Sequence, residues 1–163
     1  MTNFIAEDFK SGSNFKIGKF VIIEDGVTVG DNVTLGDYVK LCSGTIIGND
    51  VEMDDYCNTT GPCTIGNNVR ISKRSLISRN VIIHDNVYFG GSVITSHSKQ
   101  IQSRKQMDDL FTEIHSGCVI GMRTIIAAGC TVGPDVTTGY NTLIINNTTD
   151  PGTYVGSPAR KIK

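Results

Sequence analysis

The chain has three histidines, and one of them, His97, stands where catalysis is most plausible. His97 ends a regular apolar pattern and opens a polar segment, residues 96–113, that carries several charged side chains. An imidazole can take up and release a proton near neutral pH, as a general base must when it activates an attacking hydroxyl. Binding and catalytic residues are also frequent in loops that leave a rigid scaffold. We therefore single out His97 as the candidate catalytic residue.

The other two histidines, His84 and His115, each follow an apolar residue of the same pattern by one position. If their strands are neighbours, the two imidazoles stack about one inter-strand spacing apart, ~4.8 Å. Stacked histidines could share a metal ion or assist His97. Corner residues of this kind are more often solvated or hydrogen-bonded to the backbone, so both interpretations stay open.

Composition excludes several classes of function for these 163 residues. The net charge of -1 provides no field that would attract nucleic acid or an anionic membrane surface. The longest apolar runs are far shorter than the ~20 residues that span a bilayer. The N-terminal sequence lacks the apolar region of a secretory signal, so we expect a cytoplasmic protein without membrane insertion. An odd number of cysteines without a C-x-x-C pair argues against structural zinc and against a disulfide framework.

The elements that must position His97 are indicated by a repeat of six residues. Twenty positions follow this period, with one gap of nineteen residues after Thr95; seventeen are apolar and three are threonine. These anchor positions are Ile17, Ile23, Val29, Leu35, Leu41, Ile47, Met53, Thr59, Ile65, Ile71, Ile77, Ile83, Phe89 and Thr95, then Ile114, Ile120, Ile126, Val132, Thr138 and Ile144.

A small residue follows each anchor by four positions, and turn-forming pairs such as Asp31-Asn32 and Asn67-Asn68 lie between them. A short strand with alternate residues facing inward, followed by a sharp corner, explains this pattern. Repeated, the unit predicts a solenoid with a core of stacked aliphatic layers. Four cysteines occupy the small inward positions as compact apolar fillers, and Cys42 falls on a corner as the exposed thiol. The buried four are Cys57, Cys63, Cys118 and Cys130.

The pattern resembles the hexapeptide-repeat family, the acyltransferases built as left-handed parallel β-helices. The resemblance covers residues 17–144 and implies an all-β fold with three hexapeptides per triangular coil, which makes between six and seven coils. Residues 1–16 are then an N-terminal cap that covers the first coil with Phe4, Ile5 and Phe9. Residues 96–113 form one loop excursion, and residues 145–163 form a C-terminal tail.

One branch of this family, the sugar and xenobiotic O-acetyltransferases, is more similar still. In that branch a strand ends at a histidine, a polar loop follows, and the repeat resumes much as it does in IHSGCVIGMRTIIAAGCT, residues 114–131. The resemblance implies that His97 deprotonates an acceptor hydroxyl, which attacks the thioester of acetyl-CoA directly. Relatives often have a Pro or His and an Asp soon after this histidine, whereas Ser98, Lys99 and Gln100 follow here, so the acceptor stays open. The residue that orients His97 also stays open among Asp108, Asp109 and Glu113.

The last residues, VGSPARKIK, are similar to the closing signature of the family, whose basic groups approach the phosphates of CoA. Arg160 and Lys163 are therefore candidates for charge-assisted phosphate contacts. Met122 and Tyr140 align with positions that contact the pantetheine arm in relatives. Asn146 falls where many relatives carry a lysine near the cofactor. The family also implies a homotrimer with active sites between subunits.

Three functions are compatible with these residues. The first is acetyl-CoA-dependent O-acetylation of a sugar or polysaccharide-precursor hydroxyl, with His97 as general base. The second is N-acetylation of a nucleotide-linked amino sugar, in which an already neutral amine needs less help from a base. The third is a protein without acyl transfer, either a purely structural trimer or a zinc-dependent protein similar to the carbonic-anhydrase-like relatives, whose spacing of paired histidines is absent here.

Overall fold

The computed structural model describes residues 2–99 and 110–163. Within these ranges the chain forms only short strands, and no helix long and apolar enough to cross a membrane is present. The strands are β1 (Phe4–Ile5), β2 (Lys10–Ser11), β3 (Lys16–Ile17), β4 (Ile22–Ile23), β5 (Thr28–Val29), β6 (Thr34–Leu35), β7 (Lys40–Leu41), β8 (Ile46–Ile47), β9 (Glu52–Met53), β10 (Asn58–Thr59), β11 (Thr64–Ile65), β12 (Arg70–Ile71), β13 (Leu76–Ile77), β14 (Val81–Ile83), β15 (Tyr88–Phe89), β16 (Ile94–Thr95), β17 (Thr112–Ile114), β18 (Val119–Ile120), β19 (Ile125–Ile126), β20 (Thr131–Val132), β21 (Val136–Thr138), β22 (Leu143–Ile144), β23 (Gly152–Val155) and β24 (Arg160–Lys161).

Every third strand belongs to the same sheet, so the chain winds as a three-sided solenoid. Sheet A contains β1-β4-β7-β10-β13-β16-β19-β22, and sheet B contains β2-β5-β8-β11-β14-β17-β20. Sheet C contains β3-β6-β9-β12-β15-β18-β21-β23-β24. All pairings are parallel except that of β23 with β24. Ile65 pairs with Ile83, 18 residues later, which is one coil of three hexapeptides. The all-β, parallel solenoid predicted from the repeat is confirmed, with the triangular coils of a left-handed β-helix.

The solenoid has about eight coils, more than the expected six to seven, because both ends extend it. β1 and β2 lie within the segment expected to be a cap, and they pair in register with β4 and β5. Phe4 is therefore an outward residue of the first coil, 61% exposed, and does not cover its end. Phe9 packs against Phe15 with ring centroids 5.2 Å apart. The polar Ser11 at an anchor position hid this first coil in the sequence.

The expected tail also joins the solenoid. β23 lies in register beside β21, with Thr138 opposite Tyr154, and so adds a further rung to sheet C. β24 then folds back along β23 as an antiparallel hairpin. The backbone N–H groups of Leu143 and Ala159 donate to the carbonyls of Gly156 and Leu143, respectively. The last residues are thus bonded to the final coil and not merely appended to it.

Inward and outward positions alternate as strand geometry requires. On β8, Ile46 is 50% exposed while Ile47 is 3% exposed. The small residues four positions after the anchors are buried as well, so each coil closes around a layer of aliphatic side chains.

The corners are held by side chains that bond from one coil to the next. The Oδ1 atom of Asp31 accepts a hydrogen bond of 2.6 Å from the Ser13 N–H, and the Asp31 N–H donates to Oδ1 of Asn49 at 2.8 Å. The Asn49 N–H donates in turn to Oδ1 of Asn67 at 2.9 Å. Asn32, the residue after Asp31, has φ of 57°, a left-handed conformation that asparagine tolerates better than most residues. The turn-forming pairs predicted from the sequence therefore form a continuous series of hydrogen bonds along one corner of the solenoid.

The three threonine anchors have a role that an aliphatic residue could not fill. Each threonine hydroxyl accepts a hydrogen bond from a backbone N–H at a corner of the neighbouring coil. Oγ1 of Thr59 accepts from the Cys42 N–H at 2.7 Å, and Oγ1 of Thr95 accepts from the Ser78 N–H at 2.7 Å. Oγ1 of Thr138 accepts from the Gly121 N–H at 2.8 Å. Buried backbone N–H groups need such partners, since an unpaired one costs free energy.

We predict that Thr138→Val lowers the free energy of unfolding by about 1–3 kcal/mol, because a valine of similar shape leaves the Gly121 N–H without its acceptor. Thr137→Val is the matched control on the same strand, where the side chain faces outward, and it should change stability by less than about 0.5 kcal/mol. Urea denaturation followed by circular dichroism measures both. Equal stability of the two variants would show that the buried hydroxyl contributes nothing.

The cysteines also lie where the repeat predicts. Four are buried in the core, and Cys42 is half-buried at a corner. Burial raises the pKa of the Cys57 thiol to about 11 and that of Cys63 to about 12. It raises the pKa of Cys118 to about 11, and it raises that of Cys130 against an opposing effect of the Lys99 ammonium. These thiols are therefore protonated and inert at neutral pH.

A thiol-specific reagent at pH 8 should therefore modify one cysteine, Cys42, in the folded protein and all five in denaturant. The native reaction should be slower than that of a free thiol, because burial, followed by the nearby Glu24 carboxylate, raises the pKa of Cys42. Cys42→Ser should abolish the native reaction altogether. Modification of two or more thiols without denaturant would contradict the buried placement of the other four.

Candidate functional site

His97 lies two residues after β16, at the corner where the chain leaves sheet A. The strand before it is anchored by Thr95, whose carbonyl accepts a hydrogen bond of 2.7 Å from the Ser78 hydroxyl. The Ser96 N–H donates to the Ile126 carbonyl at 2.9 Å in the coil above. The Ser96 hydroxyl donates to the carbonyl of Ser98 at 2.8 Å, so a tight turn encloses His97.

The imidazole of His97 is half-buried. Its Nε2 atom is shielded from solvent and has no hydrogen-bond partner among the residues that the structure describes. A ring nitrogen without a hydrogen-bond partner in the described structure can take one from a bound molecule. Asp108 and Asp109, two of the residues considered for orienting His97, lie outside the described residues, as does Gln100. The third, Glu113, pairs with His115 instead.

A groove of about 360 Å³ lies on the outer face of sheet A, starting on the strand that ends near His97. Its floor is apolar and consists of the outward residues of three successive strands, Ile94 on β16, Ile125 on β19 and Leu143 on β22. The other lining residues are polar and come from the corners and the tail: Ser92, Arg123, Asn141, Thr142 and Ser157. An apolar floor with a few polar groups at its margin is the usual form of a small-molecule site.

Met122 and Tyr140 lie one above the other at the corner that leads from sheet C into sheet A. Both are exposed, Met122 by 50% and Tyr140 by 78%. Each directly precedes a residue of the groove margin, Arg123 or Asn141, and the Asn141 N–H donates to the Met122 carbonyl at 2.9 Å. The structure thus places these two predicted contact residues beside the groove, across the width of sheet A from His97.

Asn146 lies at the same corner as His97, two coils further along. Thr95 pairs with Ile126 and Ile126 with Ile144, so the residues two positions later, His97, Ala128 and Asn146, follow one edge of the solenoid. Asn146 is exposed. His97 and Asn146 therefore border the groove face on one side, while Met122 and Tyr140 border it on the other.

Arg160 and Lys163 lie in the terminal hairpin. Arg160 is exposed on β24 opposite Val155. The carbonyl of Lys163 accepts a hydrogen bond of 3.0 Å from the Thr153 N–H, which holds the chain end against β23. The turn of this hairpin contributes Ser157 to the groove margin. The hairpin thus forms part of the groove margin at one end of the solenoid, and its cations Arg160 and Lys163 lie at that end.

His84 and His115 are stacked as the repeat arithmetic predicts. Their ring centroids are 4.8 Å apart and the ring planes differ by 9°. Nε2 of His115 lies 3.3 Å from Oε2 of Glu113, a pairing that the sequence reasoning did not identify. The spacing of Glu113 and His115 in the sequence indicates this pairing, because residues two apart on a strand share a face. His97 is not part of this cluster.

Comparison with known proteins agrees with the repeat and with the fold. The family model for the bacterial transferase hexapeptide (six repeats) matches residues 12–43. No curated protein matches the sequence.

Several solved structures share the fold. An N-acyltransferase from Bacillus cereus, AntD, solved with dTDP and coenzyme A, is 20% identical over 91% of this chain and 82% of its own, with a TM-score of 0.63. UDP-N-acetylglucosamine acyltransferase from Campylobacter jejuni is 14% identical over 99% of this chain and 72% of its own, with a TM-score of 0.74. The polySia-specific acetyltransferase NeuO is 15% identical over 99% and 80%, with a TM-score of 0.62.

The six-residue period, the matched repeat model and the shared solenoid confirm the resemblance to the hexapeptide-repeat family, whose acyltransferases have the fold of this chain.

Proposed function

We propose that this chain is an acetyl-CoA-dependent O-acetyltransferase that acts on a sugar or polysaccharide-precursor hydroxyl, with His97 as the general base. The observation that carries the proposal is the half-buried His97, whose shielded Nε2 has no partner within the described part of the chain and which follows the strand that begins the groove floor. A general base must reach the reacting proton and must not be occupied by another partner.

In the proposed reaction acetyl-CoA supplies an activated acetyl group as a thioester. The imidazole of His97 takes the proton of the acceptor hydroxyl while the hydroxyl oxygen attacks the thioester carbonyl. The bond between the carbonyl carbon and sulfur then breaks, and the imidazolium returns its proton to the departing sulfur. The products are the acetyl ester and CoA, and His97 ends in its starting state.

The groove fits an extended co-substrate of this kind. The apolar floor of Ile94, Ile125 and Leu143 suits the methylene-rich pantetheine arm, and the amides of that arm can bond to the polar margin. We propose that Met122, Tyr140 and Asn146 contact CoA along this face. The exposed cations Arg160 and Lys163 at the end of the groove are the proposed partners of its phosphates, because guanidinium and ammonium groups bind phosphate strongly.

The neighbours with the same fold support both this reaction and a close alternative. NeuO is described as a polySia-specific acetyltransferase. AntD is described as an N-acyltransferase, and a further structure of it holds dTDP-4-amino-4,6-dideoxyglucose and coenzyme A. N-acetylation of a nucleotide-linked amino sugar is therefore the second candidate function. The two differ in how much the reaction depends on a base, since a neutral amine attacks without prior deprotonation.

The decisive experiment compares His97→Asn with the unchanged chain on hydroxyl and amino acceptors, following CoA release by chromatography. We expect kcat on hydroxyl acceptors to fall by about 10²-fold or more, because the general base is lost, while the Kd for CoA stays unchanged. Asp25→Asn is a matched control, since Asp25 is exposed at the same corner four coils away.

Unchanged turnover in His97→Asn would overturn the role of His97 for hydroxyl acceptors. Turnover of amino acceptors alone would move the assignment to N-acetylation. Absence of CoA binding in calorimetric titration of the unchanged chain would contradict acyl transfer of either kind.

We also propose a homotrimer. Large apolar side chains are exposed in rows along the flat faces, including Phe4 and Ile22 on sheet A outside the groove and Tyr88 and Val119 on sheet C. Burial of such rows between subunits is favourable, and exposed apolar patches of this kind commonly mark protein interfaces. Light scattering should give a mass three times 17.6 kDa at micromolar concentration. A mass of 17.6 kDa would contradict an active site shared between subunits.

A further inference from the structure

The cluster formed by His84, Glu113 and His115 lies apart from the proposed acyl-transfer groove and has no part in that reaction. We propose that these three residues bind one divalent first-row transition-metal ion, zinc foremost. The proposal does not depend on the proposed function, because none of the three residues lines the groove or supports His97.

The backbone brings the three residues together, with Glu113 on a strand and His84 and His115 directly after two paired strands. β14 and β17 are paired in sheet B, with Ile82 opposite Glu113 and Ile83 opposite Ile114. His84 and His115 follow directly at the corner. The His84 N–H donates to the Ile114 carbonyl and the His115 N–H to the Val132 carbonyl, each at 2.9 Å. Ligands on paired strands are held more rigidly than ligands on loops.

The distances are close to those of a tetrahedral zinc site. Zn–N and Zn–O bonds of about 2.0–2.2 Å imply about 3.4 Å between two ligand atoms of a tetrahedron. Nε2 of His115 and Oε2 of Glu113 are 3.3 Å apart. One ligand atom from each of the three residues lies within 4.8 Å of the others. The widest of these separations thus exceeds the tetrahedral value by at most about 1.4 Å, a difference that rotation of the side chains has to remove when an ion binds.

The second observation is the state of His84. Its Nε2 atom is shielded from solvent and has no hydrogen-bond partner among the residues described. The parallel ring of His115 stacks against His84 at 4.8 Å without forming a hydrogen bond to it. A buried polar atom without a partner costs free energy, and a metal ion would use its lone pair.

The donor set selects the class of ion. Two imidazole nitrogens and one carboxylate form a common zinc ligand set that leaves a fourth position for water. The buried cysteines face the interior of the solenoid and not this outer corner. The neighbouring Asp85 accepts hydrogen bonds at Oδ1 from the N–H and side-chain amide of Asn67, and it is not one of the three residues whose ligand atoms converge.

The position of the cluster suggests what the ion does. His84 belongs to the coil before the excursion, whereas Glu113 lies on β17, the strand with which the solenoid resumes, and His115 directly follows that strand. The excursion expected at residues 96–113 therefore ends before Thr112. An ion bound by all three would tie the resumed coil to the coil beneath it. Because such an ion binds the folded chain and not the unfolded one, it should raise the unfolding temperature.

The test is titration of the full chain with zinc chloride by calorimetry, in a Cys42→Ser background that removes the accessible thiol. We expect one ion per chain and an increased unfolding temperature with zinc. Cobalt(II) should give the visible absorption of a tetrahedral site without a thiolate charge-transfer band. A chain that shows no saturable binding overturns the proposal, and so does a thiolate band.

Substitution of the ligands provides the second arm. Glu113→Gln, which keeps the shape of the side chain, and His115→Ala should each weaken zinc binding by more than about 100-fold, since loss of an outer-shell partner alone costs 10–100-fold. Circular dichroism verifies that each variant is folded. His97→Asn is the matched control and should bind zinc as tightly as the unchanged chain. Unchanged affinity in Glu113→Gln or His115→Ala, or lost affinity in His97→Asn, overturns the ligand set.

Discussion

Each residue of the solenoid must tolerate, as its nearest neighbour, the residue one coil away. Parallel pairing brings positions 18 residues apart into contact, so like side chains stack in columns. Phe20 lies on Tyr38 with ring centroids 4.7 Å apart, Tyr38 on Tyr56 at 4.9 Å, and the guanidinium of Arg74 lies 5.7 Å from the Tyr56 ring centroid. Such columns are stable only where the two side chains of each neighbouring pair can pack against or hydrogen-bond to each other. The corner amides, the threonine anchors and the buried cysteines are different solutions to the same constraint.

The same constraint explains how an excursion can be inserted without disturbing the fold. Thr95 pairs with Ile126, 31 residues later instead of 18, yet sheet A continues through β16 and β19 in register. The 13 additional residues are inserted between β16 in sheet A and β17 in sheet B, and the order of the sheets around the solenoid is unchanged. Because the coils on both sides remain stacked, Glu113 lies on a paired strand and His97 follows another by two residues. Polar chemistry can therefore vary at this corner while the core stays unchanged.

Polar groups inside the solenoid contribute to the position of the groove. The Thr138 hydroxyl accepts from the Gly121 N–H and lies 3.1 Å from the hydroxyl of Thr124. Thr124 and Thr142 both donate to the Gly139 carbonyl. These bonds lie beneath the corner that carries Met122 and Tyr140, so they fix the backbone at one margin of the groove. A purely aliphatic core would leave the corner N–H of Gly121 without an acceptor.

The sequence by itself determined the period, the burial of four cysteines and the spacing of His84 from His115, because a solenoid converts sequence separation directly into distance. The coil of three strands followed from the resemblance to the hexapeptide-repeat family. It also indicated His97, because that residue marks the break in the period. Only the tertiary structure decided the hydrogen bonds of the threonine anchors, the first coil hidden by Ser11 and the groove on sheet A. These depend on side-chain orientation and on contacts between coils, and a hydrophobic period carries no information about either.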